Sequence, residues 1–204
     1  MKKLIALLFI AATLSCNRNN QMDTDLYNAL LKHDSDKVEF LLQSGSNSNA
    51  IYWPDTSILE VASKIGDIKS LNILIKYGAN VNYKGHLDQT ALHEAKNAAV
   101  AVSLIKNGAN VNSFDSFNQT PLHKTKDIDI AKILLDNGAD NNIKNIFEDT
   151  PLHIAVDQNN YELAKLLIAR GADINIINQK GQKPIDIAII KKNSKIVKLF
   201  NKNK

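Results

Sequence analysis

Cysteine occurs once in this 204-residue chain, at Cys16. No disulfide can form within it, so an oxidising compartment would add no cross-link to its fold. Arginine occurs only at Arg18 and Arg170, and aromatic residues make up 6% of the chain. A nucleic-acid surface draws on both types, so that footprint is weak. The one extended apolar run, Leu4 to Leu14, is eleven residues long. About twenty are needed to span a bilayer as a helix. The chain contains no G-x-G-x-x-G, G-x-x-x-x-G-K-[ST], H-E-x-x-H or G-x-S-x-G. These are the spacings that cradle phosphates, bind zinc or expose a nucleophile. The acidic residues are scattered, with no pair set to converge in a pocket. No enzymatic activity, cofactor or metal is expected.

What is present is a period. Thr120-Pro121-Leu122-His123 recurs as Thr150-Pro151-Leu152-His153, with a near-copy at Thr90-Ala91-Leu92-His93. The glycines Gly45, Gly78, Gly108, Gly138 and Gly171 follow at spacings of 33, 30, 30 and 33. Each glycine is followed four residues later by Asn49, Asn82, Asn112, Asn142 or Asn175. Threonine before proline suits a helix start, and glycine in a left-handed conformation suits a helix end. Asparagine at its position can close a turn onto its own backbone. Ala62, Ala95, Ala155 and Ala188 keep the first helix of each unit thin, while Thr125 stands where alanine is expected. Paired apolar residues mark the second helix, as in Leu134-Leu135 and Leu167-Ile168.

The T-P-L-H-x-A phrase at this period resembles the ankyrin repeat. The resemblance implies an all-α solenoid of six stacked repeats, each a helix-turn-helix plus a hairpin loop, over residues 23–204. Its end units begin at Thr24 and Lys183 and depart most from the phrase, as capping repeats do. Two units have only 30 residues. Asp127 to Leu135 still aligns with Asn160 to Ile168, so the missing residues are expected to shorten the first helix and recess the concave face at Lys96 and Lys126. His93, His123 and His153 share one motif position. They read as structural bridges between neighbouring loops, not as a metal ladder.

At the start of the chain, Lys2 and Lys3 precede the apolar run, and Ser15-Cys16 follows it. This is similar to a bacterial lipoprotein signal, with Thr13 where leucine is usual. Residues 1–15 are expected to be a signal peptide, Cys16 the lipidated residue, and 16–22 a short tether. The product would be secreted across the inner membrane and anchored on a periplasmic or outer-surface face. Ordinary signal cleavage, or a cytoplasmic module, is the alternative.

Charge is uneven. From Lys180 to Lys204 eight lysines face Asp186 alone, within a chain of net charge +4. A solvated polar cap accounts for this, and contact with anionic headgroups is the sharper reading. In the cupped-hand shape that the resemblance implies, hairpin tips fall at Trp53, Leu87, Phe117 and Phe147. Apolar tips in a row suggest a protein-binding strip; alternatively the rings fold back and seal adjacent hairpins. The expected function is a monomeric, non-enzymatic scaffold binding a protein partner through tips and concave helices, or an inhibitor or protective partner of an envelope enzyme. No nucleic-acid partner is expected.

Overall fold

The computed structural model of the protein describes residues 21–52 and 54–201; residues 1–15, Cys16 and Trp53 lie outside that set. The described chain is helical apart from one short hairpin. Helix α1 covers 21–31 and is followed by α2 (Ser35–Gln43), β1 (Ile51–Tyr52), β2 (Thr56–Ser57), α3 (Ile58–Ile65) and α4 (Ile68–Lys76). A 3-10 turn (His86–Asp88) leads to α5 (Ala98–Lys106), α6 (Pro121–Lys124) and α7 (Ile128–Asp136). Helices α8 (Pro151–Asp157), α9 (Tyr161–Ala169), α10 (Pro184–Ile190) and α11 (Ser194–Asn201) complete it. Gln21 and Met22, expected in the tether, lie in α1.

The outer helices share one local recipe. Asn97, Asp127 and Asn160 cap α5, α7 and α9, each side chain accepting the amide three residues on. That supplies a partner to one of the orphan donors of the first turn. Counted from each cap, positions three, four and seven are buried: Val100, Ala101 and Leu104; Ile130, Ala131 and Leu134; Leu163, Ala164 and Leu167. Three residues at that spacing form a single stripe on a helix. Each fully buried leucine contributes about 1.5–3 kcal/mol. The helices end in left-handed glycine, as at Gly138 with φ of 86°.

These stripes stack. Helix α2 packs on α4, α4 on α5, α5 on α7, α7 on α9 and α9 on α11, while α8 packs between α6 and α10 in an inner row. The inner row is uneven. Helix α3 has eight residues and α8 and α10 have seven, whereas α6 has four. Before α5 there is only a turn over 91–94. The deletion therefore falls on the inner helices and leaves the outer row continuous. Thr125 ends α6 in extended backbone (φ −72°, ψ 140°), where Ala155 continues α8. Its hydroxyl accepts the Asp127 amide at 3.2 Å, a local bond that competes with helix.

The asparagines differ from the sequence expectation. The turn after each helix is closed by the residue two places earlier: the Asn82 amide donates to Asn80, and the Asn142 amide to Asp140. Asn82 itself reaches the next unit, donating to Gly108 O at 2.9 Å and accepting the Asn110 amide at 2.9 Å. Asn49 and Asn112 make the same two bonds to their own following units. A carboxamide carries donor and acceptor together, so it can hold a neighbouring backbone at two points where a carboxylate could not.

Candidate protein-binding surface

The hairpins are held by the motif histidines. At His123, Nδ1 lies 3.1 Å from the Thr120 amide and Nε2 lies 3.2 Å from Asp149 O. An amide can only donate and a carbonyl can only accept, so Nε2 carries the proton and Nδ1 accepts. The Thr120 hydroxyl, 2.9 Å from Nδ1, then donates to the ring as well. His93 bridges Thr90 to Gln119 O, and His153 bridges Thr150 to Gln182 O, in the same way. Each imidazole thus ties the start of its own unit to the next hairpin. Burial lowers all three pKa values, that of His123 from 6.5 to about 4, despite the opposing carbonyl bonds.

Histidine does not fill this slot in every unit: Tyr27 and Asp186 hold it in the two end units, and Glu60 holds it in the unit of α3. Glu60 is buried, with Oε2 unpartnered. Burial first, then the Glu94 charge, raises its pKa from 4.5 to about 7. The facing hairpin carries Gly85. A Cβ there would sit 2.5 Å from Asp55 O and 2.6 Å from Glu60 Oε2, so no other residue fits. Later hairpins have Asp115, Asn145 and Asn178 at the matching place, each accepting two amides of its own tip through Oδ1.

Backbone bonds then tie tip to tip. The carbonyls of Leu87, Phe117 and Phe147 accept the amides of Ser116, Ile146 and Gln179 at 2.8, 3.0 and 3.0 Å. The three expected tip residues are therefore brought into one row, each anchored by the hairpin that follows. Their side chains keep 41%, 39% and 50% exposure, and Phe114 keeps 43%. Two other hairpin aromatics are engaged instead. Tyr52 stacks on Tyr27 with ring centres 4.7 Å apart and donates its hydroxyl to Asp23 O. Tyr83 donates to Asp55 Oδ1 at 2.7 Å. Trp53 lies outside the described residues, so its place in the row is not assigned. Ile146, at 44% exposure, adds apolar surface beside Phe147.

Behind the row lies the inner-helix face. A cavity of about 380 Å³ opens where those helices are trimmed, and Lys96 and Lys126 both line it. Lys64 and Lys124 line it too, from different motif positions. The sequence held a signal for Lys124, which directly follows the motif histidine and so sits on the first helix. Toward the C-terminal end the inner face turns apolar at Ile190, 63% exposed. Among the described residues no three His, Cys, Asp or Glu side chains are placed to hold a metal ion. No described helix is long and apolar enough to cross a membrane.

A bridged hairpin row over a two-layer helical stack is the arrangement of an ankyrin-repeat protein. The family model described as Ankyrin repeats (3 copies) matches residues 58–145 and 124–204, more than half of the chain, and the chain belongs to that family. No curated protein matches it significantly. Repeats of this family generally mediate protein–protein contact.

Proposed function

We propose that the protein is a non-enzymatic interaction scaffold of six repeats over residues 23–204. It binds a protein partner through its hairpin tips and inner-helix face. One observation carries this reading: Leu87, Phe117 and Phe147 hold large apolar side chains half in solvent while bonded backbone fixes their spacing. A tip facing water alone gains nothing from such residues, whereas preorganised aromatic anchors are what a binding surface requires. The short apolar run ending at the single cysteine supports delivery to the bacterial envelope, with 1–15 removed and Cys16 lipidated. The solenoid would then work close to a membrane, because only residues 17–20 separate Cys16 from α1, and four extended residues reach only about 14 Å.

Phe117→Ala and Phe147→Ala test the binding reading. Partner affinity should fall by about thirtyfold or more, while stability changes by no more than about 0.5 kcal/mol. Melting temperatures that drop with binding, in proportion to the folded fraction, would mean the rings only seal the hairpins. Fatty-acid labelling of the wild type but not of Cys16→Ala is the expected outcome for the anchor, and equal labelling of both would rule it out.

A further inference from the structure

The cavity on the inner face has a charge character that the protein-binding reading does not by itself require. Lys64, Lys96, Lys124 and Lys126 all line it, with Glu94 and Asp127 as the carboxylates among them. Both carboxylates are engaged. Asp127 caps α7, accepting the Asp129 and Ile130 amides at 2.8 and 3.1 Å. Glu94 lies 3.7 Å from Lys64. The Gln89 carboxamide, oriented by its partners, donates to Glu94 at 2.8 Å and accepts from Lys124 at 2.9 Å. That leaves Lys96 and Lys126. Both are exposed, and among the described residues neither has a carboxylate within ion-pair distance.

The recess is a consequence of trimming. Where α8 and α10 fill the inner row with seven residues, α6 has four and the unit before it only a turn. Two unpaired cations thus sit at equivalent places in adjacent units, in a notch bounded by longer helices on both sides. Repulsion between like charges is unfavourable unless an anion enters. We propose that this notch receives an acidic segment of the protein partner, its carboxylates meeting Lys96 and Lys126. The proposal rests on the reading of the same face as protein-binding and names the chemistry of what enters. A flat lipid surface cannot reach into a recess. A peptide carrying adjacent aspartates or glutamates can.

The test uses a fluorescein-labelled glutamate oligomer and its glutamine counterpart, titrated by anisotropy against the full chain. Lys96→Glu/Lys126→Glu is compared with Lys192→Glu/Lys198→Glu, which removes as much charge from the C-terminal cap. The glutamate oligomer should bind the wild type, more weakly as salt rises, and the glutamine oligomer should not. The notch variant should weaken binding by about tenfold or more, and the cap variant by no more than about twofold. Lys96→Gln/Lys126→Gln, with no reversed charge, should fall between, and unchanged melting would show that the variants fold. No binding to the wild type, or equal loss in both charge-reversed variants, would overturn the proposal. Loss of partner affinity on tip truncation, without glutamate-oligomer binding, would leave the scaffold reading standing and the acidic ligand wrong.

Discussion

The middle of the stack and its C-terminal part are built from the same phrase and differ in one layer. Around α8 to α11 each outer helix is matched by a seven-residue inner helix. Around α5 to α7 the inner layer shrinks to a turn and the four residues of α6. The outer row nevertheless runs unbroken from α4 through α5 and α7 to α9, and the tip-to-tip bonds pass through both regions. Where the inner layer is trimmed, outer helices and bridged hairpins therefore carry the stacking. The inner helices set how deep the concave face is, which leaves their length free to shape a binding surface.

The largest expected effect compares the outer cores of the two regions. Leu134 in α7 and Leu167 in α9 are both fully buried. Leu134→Ala and Leu167→Ala should each cost about 2–5 kcal/mol, and urea unfolding should remain a single transition. A far smaller cost at Leu134, or two separate transitions, would mean that the trimmed units interrupt the stack.

A smaller effect distinguishes the histidine bridges. His123→Ala unpairs the Thr120 amide and Asp149 O, and His153→Ala does the same to Thr150 and Gln182. Each should lower stability by about 1–3 kcal/mol, in the trimmed and the full-length unit alike. Unequal losses measured by thermal unfolding would show that the bridge depends on inner-helix length.

Smaller still is the pH dependence, where the histidines and Glu60 pull in opposite directions. Folding depresses the histidine pKa values, so the unfolded chain binds more protons below 6.5, and stability falls as pH drops toward about 4. Folding raises the Glu60 pKa, so the folded chain holds a proton between 4.5 and about 7, and its contribution is lost as pH rises through that range. Glu60→Gln should thus steepen the loss of melting temperature between neutral and acid pH, and His123→Ala should flatten it. An unchanged profile in both variants would place the titration elsewhere.

Much of this fold was legible because the phrase fixes phase. The glycines, histidines and paired apolar residues locate helix ends, bridges and the outer stripe, and the alignment of Asp127–Leu135 with Asn160–Ile168 located the deletion. Other features depend on what lies one unit away. Asn82 and its equivalents reach the following unit rather than closing their own turn, a choice set by the distance to the next backbone. The pairing of Glu60 with Gly85 is a contact between units, invisible when each is read alone. Tyr52 and Tyr83 are aromatic residues of the same hairpins, yet they are held by Asp23 and Asp55, partners about one unit away. The lysine notch joins residues of different motif phase, which only the trimmed inner layer brings to one recess.

The most direct measurement is site-specific photo-cross-linking in cells, with a photoreactive phenylalanine placed in turn at Phe117, Phe147 and Lys165. The first two are hairpin tips, and Lys165 is an exposed residue of the outer helix α9. A binding row at the tips predicts one dominant protein adduct shared by the Phe117 and Phe147 positions and none at Lys165. Adducts of equal strength at all three positions, or adducts at Lys165 alone, would contradict it.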